Sequence, residues 1–210
     1  MSARFLVVDD HAVVRRGLAE ILREAFAGAT CVEAGSAREA REAFGAETWE
    51  AVLVDVGLPD GSGLDLVKEF KSRAPKTPVL VLSVHAEAPF AVRALKAGAS
   101  AYLSKESAAE ELVAAVRRAR AGGRYVSSVL AERLADSVAS GGGEPHERLS
   151  DREFEVLRLI ASGRTVGEIA EHLALSVKTV STYRTRILEK TGMKTNAELT
   201  HYAISRGLVS

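Results

Sequence analysis

In Ala51-Val52-Leu53-Val54-Asp55, four apolar residues run directly into a single carboxylate. A short apolar run of this kind is typical of a strand that is buried on both faces in a parallel sheet. The segment 56–61 that follows is rich in glycine and proline and has the composition of a turn. Asp55 is therefore expected at the carboxyl edge of a sheet, where open α/β folds bind their ligands.

Apolar runs alternate with amphipathic segments along the first 123 residues. The runs predict strands at 5–8, 30–34, 51–54, 79–82 and 101–103, and the segments predict helices at 12–26, from Ser36, at 63–73, at 88–96 and from Ser107 to Gly122-Gly123. Ser36 with Glu39 and Ser107 with Glu110 match the capping-box pattern. Five strands alternating with five helices predict an α/β fold, a doubly wound five-stranded parallel sheet of order 2-1-3-4-5.

A glycine-rich stretch separates this part from a second one. Ser140-Gly141-Gly142-Gly143-Glu144-Pro145 has the composition of a flexible linker, and 126–139 before it has the periodicity of an amphipathic helix. After Leu149 we find no strand signal, and four short helices are predicted to begin at Ser150, Thr165, Ser176 and Thr195. The first, second and fourth of these match the capping-box pattern, with Glu153, Glu168 and Glu198 three residues on. The second and third have helix-turn-helix spacing. We therefore expect domains at 1–123 and 149–210, joined by a linker at 124–148.

The overall composition excludes several classes of protein. Basic and acidic residues number 28 each, so the formal net charge is zero and no overall basic field indicates nucleic acid. Cys31 is the only cysteine, which excludes an intrachain disulfide, and we expect it to be a small buried apolar residue. No run approaches the roughly 20 apolar residues of a membrane span, and the N-terminus does not resemble a signal peptide. A soluble cytoplasmic protein without a membrane partner is expected.

Three carboxylates, Asp9, Asp10 and Asp55, end the first and third predicted strands. In the order 2-1-3 these strands are neighbours, about 4.8 Å apart, so the acids converge. Like charges this close raise one another's pKa values unless a cation lies among them, and oxygen ligands favour Mg²⁺ over Zn²⁺. Asp10 could be only a helix cap, but a cap accounts for one acid and not for three. His11 directly follows the first two acids, and His85 lies two residues after Ser83. Neither has a second histidine or cysteine at ligand spacing, so we expect no metal or catalytic role for them.

Lys105 and Ser83 end the fifth and fourth predicted strands at the same edge. An ammonium and a hydroxyl beside Mg²⁺ and a carboxylate make a binding set for a phosphoryl group. One of the carboxylates would then be the nucleophile that forms an aspartyl phosphate. The residues alone leave the nucleophile open, although Asp55 is central and isolated while Asp9 and Asp10 are better suited to the metal.

The predicted third helix of the second domain is basic. Residues 176–194 carry five positive charges against Glu189 alone: Lys178, Arg184, Arg186, Lys190 and Lys194. Such a helix in a helix-turn-helix is a DNA-binding signature, and its first residues would enter the major groove. The alternative is a solvated basic helix in a small bundle.

The first domain resembles the receiver domain of two-component response regulators over residues 4–121. The matching positions are Asp9-Asp10, Asp55, Leu58-Pro59-Asp60-Gly61, Ser83, Ala97-Gly98-Ala99, Tyr102 and Lys105. The resemblance implies that Asp55 takes a phosphoryl group from a sensor histidine kinase and that Ser83 and Tyr102 switch conformation. It also implies that Mg²⁺ is bound by Asp10, Asp55, the Gly57 carbonyl and, partly through water, Asp9. Glu106 stands where the family often has a proline with a cis bond, which leaves the geometry of that bond open.

The second domain resembles the LuxR-type helix-turn-helix over residues 149–209. The matching segments are 149–153, 156–157, 161–163, 168–170, 175–180 and 197–199. Together the two domains resemble the NarL/FixJ family of transcriptional regulators. Carried over by position, the phosphate contacts would be Lys178, Thr179, Tyr183 and Arg184, the base-facing residues Ser181, Thr182 and Thr185, with Arg186 also on the DNA-binding helix. Small hydroxyl residues can bond several bases, so the operator cannot be deduced from them. The family's usual dimer surface would lie near 200–204.

The expected function is that of a response regulator in which phosphorylated Asp55 favours a homodimer that binds double-stranded DNA and regulates transcription. Such a protein is not a turnover enzyme. A phosphatase or phosphotransferase working through an aspartyl phosphate is the alternative, but Gly57 occupies the position where haloacid-dehalogenase-type enzymes have a second aspartate. A small-molecule-sensing LuxR regulator would need a ligand-binding domain, and a phosphate site stands in its place.

Overall fold

The computed structural model describes residues 3–83, 88–127, 131–132 and 144–209. The chain divides into two compact units, Met1–Asp136 and Ser137–Ser210, which are described separately. None of the helices in these described ranges is long and apolar enough to cross a membrane.

The first unit contains a parallel sheet of six strands. These are β1 (Arg4–Val8), β2 (Thr30–Ala34), β3 (Ala51–Asp55), β6 (Val79–Ser83), β7 (Ala101–Ser104) and β8 (Tyr125–Val126), in the order β2-β1-β3-β6-β7-β8. The predicted parallel sheet and its order are confirmed for the first five strands. Two further strands, β4 (Gly57–Leu58) and β5 (Gly61–Ser62), pair as a small antiparallel hairpin within the turn that follows β3.

The sixth strand was not predicted. Val126 pairs with Tyr102 and therefore extends the sheet, so the prediction that a helix begins at Val126 is wrong. A strand of two residues has no measurable alternation, and its register is fixed by the neighbouring strand. The rest of the predicted helix falls largely on residues 128–130 and 133–139, which lie outside the described residues.

In the described residues, five helices connect these strands. They are α1 (Ala12–Ala25), α2 (Ala37–Ala46), α3 (Gly63–Arg73), α4 (Ala88–Lys96) and α5 (Ala109–Arg120). The Ser36 hydroxyl accepts the Glu39 N–H, as predicted. The capping box predicted at Ser107 is wrong, because the Ser107 N–H donates to the Ser104 carbonyl in a turn and α5 begins two residues later.

The core explains why Asp55 is held rigidly. All five residues of β3 and all five of β6 are buried. One cluster on the sheet joins Phe5, Leu53 and Leu80 to α1 and α5 through Leu22 and Val116. This packing fixes the register of β3 and therefore the position of Asp55 at its end.

Cys31 packs against this core but is only half-buried, so the expected full burial is wrong. Its thiol donates to the Ala19 carbonyl, and partial burial raises the pKa of the thiol.

The second unit is helical wherever the described residues form regular structure. A 3₁₀ turn (Pro145–Arg148) precedes α6 (Asp151–Ala161), α7 (Val166–His172), α8 (Val177–Thr191) and α9 (Asn196–Ser205). The capping boxes predicted at Ser150 and Thr165 are confirmed, and Gly192 closes α8 in the left-handed conformation at φ 74°. These local signals fix the ends of α8, the helix that carries the basic residues.

Candidate functional site

The carboxyl edge of the first sheet brings two buried carboxylates and the largely buried ammonium of Lys105 together. Lys105 Nζ lies 2.7 Å from Asp9 Oδ2 and 2.8 Å from Asp55 Oδ2. Asp9 is fully buried and Asp55 is 5% exposed. Two adjacent strands, β1 and β3, supply the acids, and the end of β7 supplies the lysine. One ammonium is therefore shared by two carboxylates in a site that excludes most of the solvent.

Burial dominates the electrostatics of this site. It raises the pKa of Asp55 to about 6, even though Lys105 and the Gly57 N–H stabilise the carboxylate, and Asp9 adds to the rise. Burial alone would lower the pKa of Lys105, but the two carboxylates outweigh it and the pKa is raised. Lys105 is thus held as a cation, while Asp55 is a carboxylate only above a mildly acidic pH.

His11 lies within this acid cluster. Its Nδ1 lies 2.5 Å from Asp10 Oδ1, and its backbone N–H donates to Asp9 Oδ1 at 2.8 Å. Asp10 is not the cap of α1, because His11 occupies that position without a side-chain cap bond. The sequence contained one signal for this contact, the adjacency of His11 to the two acids.

The acid cluster fits a hard divalent cation. Ligand atoms of Asp9, Asp10, His11 and Asp55 all lie within 4.8 Å of one another. Three carboxylates against the single ammonium of Lys105 leave about two negative charges to be balanced. The carboxylate oxygens are of the kind that Mg²⁺ prefers, and Asp10 is exposed enough to remain open to solvent.

Helix α8 has a different character, because its charged and hydroxyl side chains face solvent. The exposed members of the predicted DNA-binding set are Lys178, Ser181, Thr182, Thr185 and Arg186, while Thr179, Tyr183 and Arg184 are half-buried. Arg184 Nε donates to Asn196 Oδ1 at 2.6 Å, so α9 orients this arginine. Lys190 contacts the buried Glu153 at 2.6 Å and stabilises the fold of this unit.

Comparison with known proteins assigns each of the two units to a protein family. Residues 5–117 match the model of the response regulator receiver domain, and residues 147–203 match that of the bacterial regulatory proteins of the LuxR family. The chain belongs to the two-component response regulators with a LuxR-type DNA-binding domain.

Relatives support this over nearly the whole length of the chain. The response regulator is 40% identical to the transcriptional activator protein ExaE of Pseudomonas putida over 207 residues, 97% of each chain. It is 35% identical to the response regulator UvrY of Escherichia coli K12 over 205 residues, 97% of this chain and 94% of that one. The predicted resemblance to NarL/FixJ regulators is confirmed.

Solved structures agree with this assignment. The response regulator RcsB of Salmonella typhimurium has a TM-score of 0.61 and 26% identity, covering 98% of this chain and all of that one. A LuxR-family response regulator from Aurantimonas sp. SI85-9A1 has a TM-score of 0.61 and 31% identity, covering 66% of this chain and 99% of that one.

In the receiver domain, Gly63 and Asp60 position the loop after β3. A Cβ on Gly63 would lie 1.8 Å from the Asp55 carbonyl oxygen, so only glycine fits there. The Asp60 carboxylate accepts the N–H groups of Ala37 and Arg38, at 2.7 and 2.9 Å. Burial would raise the pKa of Asp60, but these backbone N–H groups outweigh it and the pKa is lowered. Asp60 thus ties this loop to the start of α2.

Ser83 and Tyr102 are both buried in the receiver domain. Ser83 pairs with Ser104 where β6 and β7 end, and its carbonyl accepts the Lys105 N–H at 2.8 Å. Tyr102 lies between Val81 and Val126 in the sheet. In the described part of the chain every peptide bond is trans, so the open question about Lys105–Glu106 is resolved in favour of trans.

Proposed function

We propose that Asp55 accepts a phosphoryl group from a sensor histidine kinase and that this controls dimerisation and DNA binding. The observation that carries the proposal is the buried Asp55 carboxylate, 2.8 Å from an ammonium that it shares with Asp9. The family models and the two compact units support a receiver domain at 1–123 and a DNA-binding domain at 149–210, joined by a linker at 124–148.

Asp55 is the better nucleophile of the three acids. Asp9 is fully buried and held by Lys105 and the His11 N–H, and Asp10 pairs with the His11 ring. With a pKa of about 6, Asp55 is mostly ionised at pH 7.5. Its carboxylate oxygen attacks the phosphorus of the kinase phosphohistidine, the phosphorus–nitrogen bond breaks, and the imidazole leaves with the electron pair.

The residues around Asp55 divide the remaining tasks. Lys105 turns from the carboxylate to the phosphoryl oxygens and neutralises them. Asp10, Asp55 and the Gly57 carbonyl would hold Mg²⁺, with Asp9 assisting, and Mg²⁺ when bound neutralises the phosphoryl charge. Ser83 then bonds the phosphoryl group, and Tyr102 changes its packing in the sheet. The same pocket supports slow hydrolysis of the aspartyl phosphate without making the protein a turnover enzyme.

The DNA-binding domain receives this signal. Lys178, Thr179, Tyr183 and Arg184 contact phosphates, while Ser181, Thr182 and Thr185 face bases, with Arg186 beside them. The solved structure of Salmonella typhimurium RcsB is described in terms of conformational dynamism for DNA interaction, which supports a DNA partner for this chain. A homodimer would bind two half-sites of double-stranded DNA, and a regulator of transcription works in the cytoplasm, where that DNA lies.

Labelling with a radioactive phosphodonor tests the assignment of Asp55. Wild-type chain incubated with acetyl phosphate and Mg²⁺ should incorporate label, and Asp55→Asn should not. Asp65→Asn is the matched control, because Asp65 is an exposed aspartate of the same domain. Full labelling of Asp55→Asn would show that another residue is the acceptor.

A further inference from the structure

Thr182 and Thr185 project from the recognition helix α8 with their hydroxyl hydrogens already engaged. Thr182 Oγ1 donates to the Lys178 carbonyl at 2.9 Å, and Thr185 Oγ1 donates to the Ser181 carbonyl at 3.1 Å. A hydroxyl has a single hydrogen to donate, and in each threonine that hydrogen is already donated to a backbone carbonyl of the helix. Both side chains are nevertheless exposed, and residues three apart lie on the same face of a helix.

The groups that remain for a partner are a methyl and the lone pairs of an oxygen. Such a side chain cannot donate to the acceptors at the major-groove edge of guanine, N7 and O6, without breaking its bond to the helix. It can accept from the amino groups of adenine or cytosine, and its methyl can contact the 5-methyl group of thymine. An A·T pair offers both the amino donor and the methyl, whereas a G·C pair offers only the amino donor beside two acceptors left without a partner.

We propose that Thr182 and Thr185 are specificity-determining residues that select A·T base pairs in the operator through their methyl groups and hydroxyl lone pairs. The inference rests on the proposed DNA-binding face of α8 and deepens it, because the residue types alone leave the base open.

In the first turn of α8, too, hydroxyl groups are hydrogen-bonded within the helix while an apolar side chain faces solvent. The Ser176 hydroxyl accepts the Thr179 N–H at 3.0 Å and lies 2.8 Å from Thr179 Oγ1, so these hydroxyls are occupied with capping the helix. Val177, the first residue of α8, is 56% exposed although it is apolar. The N-terminal half of the helix thus presents methyl groups, with Lys178 beside them for a phosphate.

Paired substitutions separate the contributions of the methyl group and the hydroxyl group of each threonine to DNA binding. Thr182→Val and Thr185→Val keep a methyl and remove the hydroxyl, while Thr182→Ser and Thr185→Ser keep the hydroxyl and remove the methyl. Thr191 is the matched control, because its Oγ1 donates to the Ile187 carbonyl in the same way but at the opposite end of α8. Circular dichroism checks that each variant retains its helices.

The experiment selects duplexes from a random library with the full chain in the presence of beryllofluoride and Mg²⁺. Positions of each half-site whose base preference changes in the serine variants are those that the threonine methyl groups contact. At these positions the wild type should enrich A·T pairs. The valine variants keep the methyl contact but lose the hydroxyl acceptor, so they should bind about threefold more weakly than the wild type while still enriching A·T pairs. The serine variants should bind about fourfold more weakly, the effect expected from removing one methyl group from an apolar contact.

Replacing the selected thymine by deoxyuridine removes the other methyl of the contact. This should weaken the wild type by about fourfold and leave the affinity of the corresponding serine variant unchanged. Enrichment of G·C pairs at these positions, or a loss of tenfold or more in the valine variants, would overturn the inference while leaving α8 as the DNA-binding helix. A wild-type chain that enriches no sequence would instead overturn the proposed function.

Discussion

The acid pocket of the receiver domain and the surface of helix α8 both concentrate charge, but in opposite environments. In the pocket, Asp9 and Asp55 are buried around a lysine whose side chain is 9% exposed. On α8, Lys178 and Arg186 extend into solvent. Burial magnifies every charge in the pocket, whereas water and salt screen those on the helix. We therefore expect large effects on stability from pocket substitutions and small, salt-dependent effects on binding from helix substitutions.

Removing Lys105 should have the largest effect on stability. Lys105→Met leaves two buried carboxylates without a cation, which should lower the free energy of unfolding by about 3–5 kcal/mol at pH 8 without Mg²⁺. Urea unfolding of the full chain measures this. Lys68→Met is the matched control, because Lys68 pairs with Asp65 on the surface and should cost about 0.5 kcal/mol or less. Equal losses in the two variants would contradict the shared ion pair.

Gly63→Ala should come next. The added Cβ would collide with the Asp55 backbone, so the loop must shift and the free energy of unfolding should fall by about 3 kcal/mol. Gly17→Ala is the control, since a Cβ there meets nothing within 4 Å and alanine favours a helix, and it should stabilise by up to about 1 kcal/mol. A Gly63→Ala chain as stable as the wild type would show that the loop is not held as described.

The raised pKa of Asp55 predicts a pH dependence of stability without Mg²⁺. The folded chain binds this proton up to about pH 6, whereas an ordinary aspartate releases it near 3.8, so this group's contribution to stability falls as the pH rises from about 4 to 6. Asp55→Asn should remove that fall and be about 2–3 kcal/mol more stable than the wild type at pH 8. Urea unfolding across this pH range provides the test. Parallel stability curves for the two proteins would contradict a raised pKa.

Helix α8 should show the smallest effects, and only in DNA binding. Lys178→Ala should reduce the slope of log affinity against log salt by about 0.9, the contribution of one phosphate contact. Lys190→Ala is the matched control on the same helix, because Lys190 is committed to Glu153 and its loss should lower stability without changing the slope. Fluorescence anisotropy at several salt concentrations measures the slope. An unchanged slope in Lys178→Ala would place the phosphate contacts elsewhere.

Local sequence signals predicted most of the fold. The buried run at 51–55 and the serine or threonine caps of α6, α7 and α8 depend on neighbours within four residues, so the sequence carries them directly. Two predicted capping boxes formed differently, because Glu39 and Glu198 accept the N–H one residue before the cap, from Gly35 and Lys194. The short strand β8 depends instead on its long-range pairing with β7.

In the candidate site, too, some features could be predicted from the sequence, whereas others depend on long-range contacts or side-chain conformation. Parallel topology brings the ends of β1 and β3 together, which is why the convergence of Asp9 and Asp55 could be predicted. The contact between Asp60 and the start of α2 spans more than 20 residues and has no local pattern. The hydroxyl bonds of Thr182 and Thr185 are a property of side-chain conformation, which residue type does not specify.

We propose that phosphorylation of the buried pocket controls DNA binding by helix α8 through the association of two chains. Multi-angle light scattering of the full chain, with and without beryllofluoride and Mg²⁺, tests it most directly. We predict the chain mass of 22.4 kDa without beryllofluoride and twice that mass with it, and no change for Asp55→Asn. A wild-type chain that remains a monomer in both conditions would overturn this proposal.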